Sequence, residues 1–116
     1  MRVHFIGIGG IGLSALARFL QYRGYTVSGS DVKSTPITQE LEKEGIKVTI
    51  PQSADAIDGQ DLIIYSAAVQ NHNVEIQEAK KQELLLLPRK EALSVIMQKT
   101  TNYCVCAAHG NSTASI

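Results

Sequence analysis

The chain has 116 residues, which is enough for one domain with a hydrophobic core of its own. Eleven basic residues balance eleven acidic ones, and this balance does not favour binding to nucleic acid or to an acidic membrane surface. Aromatic residues make up only 5%, which argues against a platform for base stacking. Since no leader or membrane-length apolar run is recognised, we expect a cytoplasmic protein with neither nucleic acid nor membrane as its partner.

The N-terminal stretch is an apolar strand, a glycine turn and the start of a helix. Gly7, Gly9 and Gly12 form the pattern G-x-G-x-x-G, and apolar residues follow at helical spacing. In this pattern the first glycine allows a tight turn, the second lets a phosphate approach the backbone, and the third lets the helix pack on the strand. Asp31 lies 19 residues after Gly12, where an acid that binds a ribose is expected. The context favours a nucleotide-phosphate site over a purely structural turn.

The rest of the chain alternates between predicted strands and helices. This alternation predicts an α/β fold, a Rossmann-like parallel sheet with right-handed crossovers and helices on both faces. In chain order we expect a helix from Ile11 to Tyr22, a strand from Tyr25 to Ser30, a helix that begins at Pro36 with Thr35 as its cap and ends at Gly45, a strand from Lys47 to Ile50, a short helix or turn from Ala54 to Gly59, a strand from Asp61 to Ser66, a helix from Asn73 to Glu83, a strand from Leu84 to Leu87, a helix from Arg89 to Gln98 and a strand from Tyr103 to Ala107.

The last residues look like the opening of a further unit. A strand, a His-Gly loop and a Ser-Thr pair follow one another, and a domain does not normally end just after such a junction. We therefore expect one domain over residues 1–102 and, over residues 103–116, the first strand and loop of another domain in a longer protein. The alternative is a frayed C-terminal tail.

Four stretches together resemble the Mur ligase family, and within it the ligases that join L-alanine to UDP-N-acetylmuramate in peptidoglycan biosynthesis. They occur in the expected order and cover nearly all of the chain, which makes them far more specific than a glycine motif alone. The stretches are His4 to Ser14, Val27 to Asp31, Ser66 to Val69 with Asn73 and Glu75 following, and Pro88 to Leu93.

The resemblance implies one domain of a three-domain enzyme. In the family the first domain is Rossmann-like and holds the UDP part of the substrate, the second binds ATP and Mg²⁺, and the third brings the amino acid. The substrate carboxylate becomes an acyl phosphate, which the amine of alanine attacks. This chain would then bind UDP-N-acetylmuramate but form no amide bond alone, and no catalytic residue is expected in it.

The predicted ATP loop departs from the family pattern G-[TA]-H-G-K-[ST]-T. Ala107 replaces its first glycine and Asn111 replaces its lysine, while Val74 stands where another family motif usually has proline. An asparagine carries no positive charge for the β and γ phosphates, and one charge-assisted contact is worth about 1.5–3 kcal/mol. Ser112 remains a candidate ligand for Mg²⁺. The residues expected to bind ATP are Ala108, His109, Gly110, Asn111, Ser112 and Thr113.

The candidate residues for binding the UDP-sugar each have a structural alternative. Asp31 could be a surface residue or a helix cap, Ser66 and Ala67 could simply end a strand, and Arg89 could be a solvated residue at a helix start. For Asn73 a capping role is the stronger interpretation, and His4 fits a packed histidine better than a ligand. The candidates are Gly7, Ile8, Gly9, Gly10, Ile11, Gly12, Ser30, Asp31, Ser66, Ala67 and Arg89.

Two other functions fit parts of the sequence. The glycine turn with Asp31 would also suit the NAD-binding domain of a dehydrogenase or sensor, which needs none of the other stretches. The altered ATP loop would suit a non-catalytic relative of the Mur ligases.

Overall fold

The computed structural model describes residues 1–95, and every structural statement below refers to them. The end of the last predicted helix, the strand predicted from Tyr103 to Ala107 and the predicted ATP loop lie outside the described residues. So does the predicted domain boundary after residue 102.

A parallel sheet of five strands forms the centre of the fold, in the order β3-β2-β1-β4-β5. The sheet confirms the predicted α/β class. β1 is central because it pairs with β2 on one side and with β4 on the other. The strands are β1 (Arg2–Ile6), β2 (Thr26–Ser30), β3 (Lys47–Thr49), β4 (Leu62–Tyr65) and β5 (Leu86–Pro88).

Helices cover both faces of this sheet. They are α1 (Ile11–Tyr22), α2 (Pro36–Lys43), α3 (Val74–Lys81) and α4, which covers 89–95 of the described residues, together with a 3₁₀ turn (Ala54–Ala56). Thr35 caps α2 through a reciprocal capping box, with Pro36 at its first position as predicted. Among the described residues no helix is long and apolar enough to cross a membrane.

Alternation along β1 divides the core between the two faces. Val3 and Phe5 are fully buried against α1, in a cluster that includes Leu13 and Leu16. Ile6 is fully buried on the other face, with Ile76 of α3. His4 also points to the α3 face and is 1% exposed, so the interpretation of His4 as a packed histidine is confirmed.

Two strands, β2 and β5, begin later than predicted because the residues before them form the turns that end the preceding helices. The Tyr25 N–H donates to the Leu20 carbonyl and closes a C-terminal turn of α1 around Gly24, whose φ is +96°. The Leu84 N–H likewise donates to the Ala79 carbonyl after α3. Both strands can therefore start only after these turns. The predictions for β3 and β4 are likewise one or two residues too long.

Candidate functional site

A cavity of about 460 Å³ lies where the strand order reverses. The chain runs from β1 outward to β2 and β3, then returns to the other side of β1 with β4 and β5. Connections that leave β1 and β4 in opposite directions open a crevice at the carboxyl ends of these two strands, which is where ligands bind in sheets of this kind. Its lining residues are Gly7, Gly10, Asp31, Val32, Gln52, Ser66, Ala68, Val69, Gln70, His72 and Asn73.

Gly7 makes the turn after β1 and allows β4 to come close to it. Its φ of +87° lies in the left-handed region, and a Cβ atom there would be 3.1 Å from the Cβ of Ser66. The Ser66 N–H donates to the Ile6 carbonyl at 3.1 Å, which joins the ends of the two strands. The predicted role of Gly7 in a tight turn is therefore confirmed, and Ser66 borders the same crevice.

Gly9 is needed because the Asp31 carboxylate lies against it. The Gly9 N–H donates to Oδ2 of Asp31 at 2.7 Å, and a Cβ atom at Gly9 would overlap that same oxygen. The close neighbour expected here from the sequence was a phosphate. In the structure it is a carboxylate of the chain itself, which fixes the glycine turn to the end of β2.

Both oxygens of Asp31 accept hydrogen bonds from backbone groups. Besides the bond from Gly9, Oδ1 accepts from the Val32 N–H at 2.7 Å. Asp31 also lines the cavity, and each carboxylate oxygen has a second lone pair. The residue can thus hold the turn in place and still offer an acceptor to a hydroxyl group of a ligand.

Gly12 makes room for Arg89. A Cβ atom at Gly12 would lie 3.0 Å from Nε and 3.1 Å from Cζ of Arg89. The side chain that approaches this glycine most closely is therefore that of Arg89, from the start of α4. Arg89 is thereby placed beside the first turn of α1.

The first turn of α1 offers unpaired backbone donors next to that cation. Gly10 is the N-cap and provides no side-chain acceptor, and no acidic residue lies in the first turn. Within residues 1–95 no hydrogen bond is found from the N–H groups of Ile11, Gly12 or Leu13. Free N–H groups, the positive end of the helix dipole and a guanidinium together form a site suited to a phosphate.

The remaining candidates from the sequence are placed less directly. Ile8 and Ser30 are fully buried, and the Ser30 hydroxyl donates to Glu75 at 2.6 Å. Only their backbones could contact a ligand in this arrangement. Ile11 is 81% exposed beside the turn, whereas Ala67 does not line the cavity. The candidates for ATP and Mg²⁺, Ala108 to Thr113 with Ser112, lie outside the described residues, and residues 1–95 hold no cluster of three or more metal-ligating side chains.

Most of the polar wall of the cavity was not predicted from the sequence. Gln52, Gln70 and His72 received no role, and Asn73 was interpreted as a helix cap. That cap is confirmed, since Oδ1 of Asn73 accepts from the Glu75 N–H at 2.8 Å. Its Nδ2 donates to Oε1 of Gln52 at 2.6 Å, so the cap is also part of the wall. Their position in the sequence could have identified them as wall residues, because they follow the carboxyl ends of β3 and β4.

These features define a class of protein. A parallel sheet of order 3-2-1-4-5, with a glycine turn and a free helix N-terminus at the switch point, is the arrangement of doubly wound nucleotide-binding domains. The match of a family model narrows this class. The model described as "Mur ligase family, catalytic domain" matches residues 2–101, and the chain belongs to this family.

Curated relatives and solved structures agree with this assignment. The chain is 54% identical over 113 residues to a UDP-N-acetylmuramate–L-alanine ligase of Campylobacter jejuni, which covers 97% of this chain and 26% of that protein. It is 46% identical to the ligase of the same name from Helicobacter pylori, over 96% of this chain and 25% of that protein. The crystal structure of the UDP-N-acetylmuramate-alanine ligase MurC from Thermotoga maritima matches 85% of this chain and 23% of its own, with a TM-score of 0.83 and 36% identity.

The chain therefore spans about a quarter of the length of the curated relatives it matches. The family match extends over the stretches that a dehydrogenase domain does not need. The alternative of an NAD-binding dehydrogenase is therefore not supported.

Proposed function

We propose that this chain is the part of a UDP-N-acetylmuramate–L-alanine ligase that binds the UDP portion of UDP-N-acetylmuramate. The observation that carries the proposal is the pairing of the free N-terminus of α1 with the Arg89 guanidinium at the switch point of the sheet. A diphosphate needs both backbone donors and positive charge, and both are present. That the nucleotide is UDP and the sugar N-acetylmuramate is inferred from the names of the relatives.

The geometry fits a nucleotide in more than one respect. The cavity of about 460 Å³ falls within the range of about 300–1,000 Å³ for small-molecule sites. Asp31 offers an acceptor to ribose hydroxyls, and amide side chains at Gln52, Gln70 and Asn73 offer donors and acceptors to a base or sugar. In this proposal the chain binds and orients the substrate, and bond formation belongs to other parts of the whole protein.

Binding is tested by following the backbone amide resonances of this chain during titration with UDP-N-acetylmuramate, UDP, NAD⁺ or ATP. We expect saturable shifts at Gly7 to Leu13, Asp31 and Ser66 with the UDP-sugar and with UDP, and no shifts with NAD⁺. Saturable shifts with NAD⁺ and none with the UDP-sugar would contradict the proposal. Absence of shifts with every ligand would contradict binding by this chain alone.

We further propose that the whole protein is a cytoplasmic ligase that uses L-alanine, ATP and Mg²⁺, the last two bound around residues 108–113 with Ser112 toward the metal. The chemistry that ATP supplies is activation of the substrate carboxylate. The test replaces the corresponding quarter of the Campylobacter jejuni relative with this chain and measures alanine-dependent phosphate release. We expect Asn111→Lys to raise it by about 10-fold or more, the equivalent of one charge-assisted contact. Release that stays at background after this change would contradict the role of the loop.

A further inference from the structure

We propose that Glu75 is a positioning residue for the cavity. Its side chain fixes the relative positions of the three chain segments that carry Asp31, Gln52 and Asn73 in the cavity wall. The proposal extends the function proposed above, because its consequence for binding rests on that function. Glu75 does not line the cavity and is fully buried behind it on the α3 face of the sheet. Its effect on a ligand would therefore pass entirely through other residues.

The two oxygens of Glu75 accept three hydrogen bonds from three parts of the chain. Oε1 accepts from the Ser30 hydroxyl at 2.6 Å and is 2.8 Å from Nε2 of His4. Oε2 accepts from the backbone N–H of Ser53 at 2.9 Å. β1, β2, the segment after β3 and α3 therefore meet at one side chain.

Two of the bonded segments carry a wall residue of the cavity next to their contact with Glu75. Ser30 directly precedes Asp31, and Ser53 directly follows Gln52. On the helix itself, the Glu75 N–H donates to Oδ1 of Asn73 at 2.8 Å. A displacement of Glu75 would therefore move Asp31, Gln52 and Asn73 in the cavity wall together.

The wall residues are also bonded to one another and to the glycine turn. Asn73 donates to Gln52 at 2.6 Å, and the Ser30 carbonyl accepts from the N–H groups of Gly7 and Ile8, each at 2.9 Å. Hydrogen bonds thus connect Glu75 through Ser30 to the turn where the phosphate is expected. The hydrogen-bond network extends from Gln52 and Asn73 to the glycine turn.

Packing alone gives no reason for a carboxylate at this position. The α3 face buries Ile6, Ile63 and Ile76, but it also buries the polar partners of Glu75, and an aliphatic side chain at 75 would leave those partners without their acceptor. A carboxylate in such surroundings is unfavourable unless its hydrogen bonds are complete. They are complete here, since no buried side-chain nitrogen or oxygen among residues 1–95 lacks a partner. The side chain therefore defines relative positions that an apolar contact would leave free to slide.

His4 orients the carboxylate from the side of β1. Its Nδ1 is 2.9 Å from the Ser28 hydroxyl, so both ring nitrogens are bonded and the ring is fixed. With the carboxylate as acceptor, His4 donates from Nε2. Among the described residues, Ser28 is bonded to the network through His4 alone, one step further from the carboxylate than Ser30. It is therefore the control position for Ser30 on the same strand and the same face.

The experiment compares Glu75→Gln, Ser30→Ala and Ser28→Ala with the unchanged chain. Glutamine keeps the volume but replaces one acceptor oxygen by a donor. Either the bond from the Ser53 N–H is then lost, or Ser30 and His4 must change from donors to acceptors. We expect a loss of at least 10-fold in the affinity for UDP-N-acetylmuramate in Glu75→Gln and in Ser30→Ala, measured calorimetrically under conditions where each variant is folded. Ser28→Ala should change the affinity less than threefold.

A second readout requires no ligand. In Glu75→Gln without ligand, we expect the amide signals of Gly9, Asp31, Gln52 and Asn73 to shift and the Ser53 amide to exchange faster with solvent. If Glu75 only stabilises the fold, the melting temperature falls while affinity and these signals keep their values, and the proposal is wrong. Should Glu75→Gln fail to fold, Ser30→Ala alone decides by the same criteria. If the unchanged chain binds no UDP-sugar, the proposed function fails, whereas the ligand-free signals still decide the role of Glu75.

Discussion

The Asp31 carboxylate accepts a 2.7 Å hydrogen bond from the backbone N–H of Gly9, and this bond joins the end of β2 to the turn after β1. Two features that the sequence suggests as separate ligand contacts are therefore already in contact with each other. A phosphate bound at the turn would lie next to a carboxylate of the chain. The positive groups around the turn, Arg89 and the N-terminus of α1, then have to offset this negative charge.

Replacing Gly9 with alanine should disturb this contact specifically. The new Cβ would overlap the Asp31 carboxylate and lie 3.2 Å from Cγ2 of Thr38, so Asp31 must move away. The loss of a charge-assisted hydrogen bond should lower the free energy of unfolding by about 1–3 kcal/mol, measured by urea denaturation. Gly10→Ala is the control for stability, since within residues 1–95 its Cβ would contact only the Gly7 carbonyl, at 3.6 Å. Equal destabilisation by the two changes would contradict the importance of the Asp31 contact.

Gly12→Ala should separate stability from ligand binding. The added Cβ displaces Arg89, whose exposed side chain can move aside, and alanine favours the helix over glycine by about 0.5–1 kcal/mol. We therefore expect unchanged or higher stability in urea, but an affinity for UDP that falls by about 10-fold or more, as loss of one charged contact would produce.

A double-mutant cycle checks this explanation. If Gly12→Ala acts by displacing Arg89, then Arg89→Ala should weaken binding by a similar factor and the double variant should be no weaker than either single variant. Lys90→Ala serves as the control for charge, since Lys90 is an exposed cation one residue further along α4. Additive losses in the double variant would show that the two residues act independently.

The fold was largely predictable because its signals are local. Strand and helix patterns alternate, glycines such as Gly24 end helices, and Thr35 with Pro36 starts one. The contacts that form the site were not predictable, because they join residues far apart in the chain. Nothing in the sequence around Gly12 indicates Arg89, and nothing around His4 indicates Glu75, which lies 71 residues away. Position after a strand identifies the edge of the sheet, but hydrogen-bond partners depend on tertiary packing.

Glu83 has a backbone conformation that suits glycine. Its φ is +59°, and its N–H donates to the Lys80 carbonyl in the turn that ends α3. The left-handed conformation costs a residue with a Cβ about 1–2 kcal/mol, so Glu83→Gly should raise the free energy of unfolding by about 1 kcal/mol. Gly24→Ala, which places a Cβ in the equivalent turn after α1, should lower it by a similar amount. Urea denaturation measures both, and a destabilising Glu83→Gly would contradict the argument.

Asn73 combines a cap for α3 with a contact in the cavity wall, and two substitutions separate these roles. Aspartate keeps the acceptor for the Glu75 N–H, so Asn73→Asp should unfold at nearly the same urea concentration as the unchanged chain. It loses the Nδ2 that donates to Gln52, and Gln52 must turn its amide to donate instead of accept. The group that Gln52 offers to the cavity is then reversed, and affinity for UDP-N-acetylmuramate should fall.

Asn73→Ala should lose both functions, with the free energy of unfolding lower by about 1 kcal/mol, as for the loss of a helix cap, and a weakened affinity. Ser53→Ala provides a matched cap control, since the Ser53 hydroxyl caps only the short 3₁₀ turn through the Asp55 N–H. If Asn73→Asp binds the UDP-sugar as well as the unchanged chain while Asn73→Ala does not, then the cap alone matters. The orientation of Gln52 would in that case have no part in recognition of the ligand.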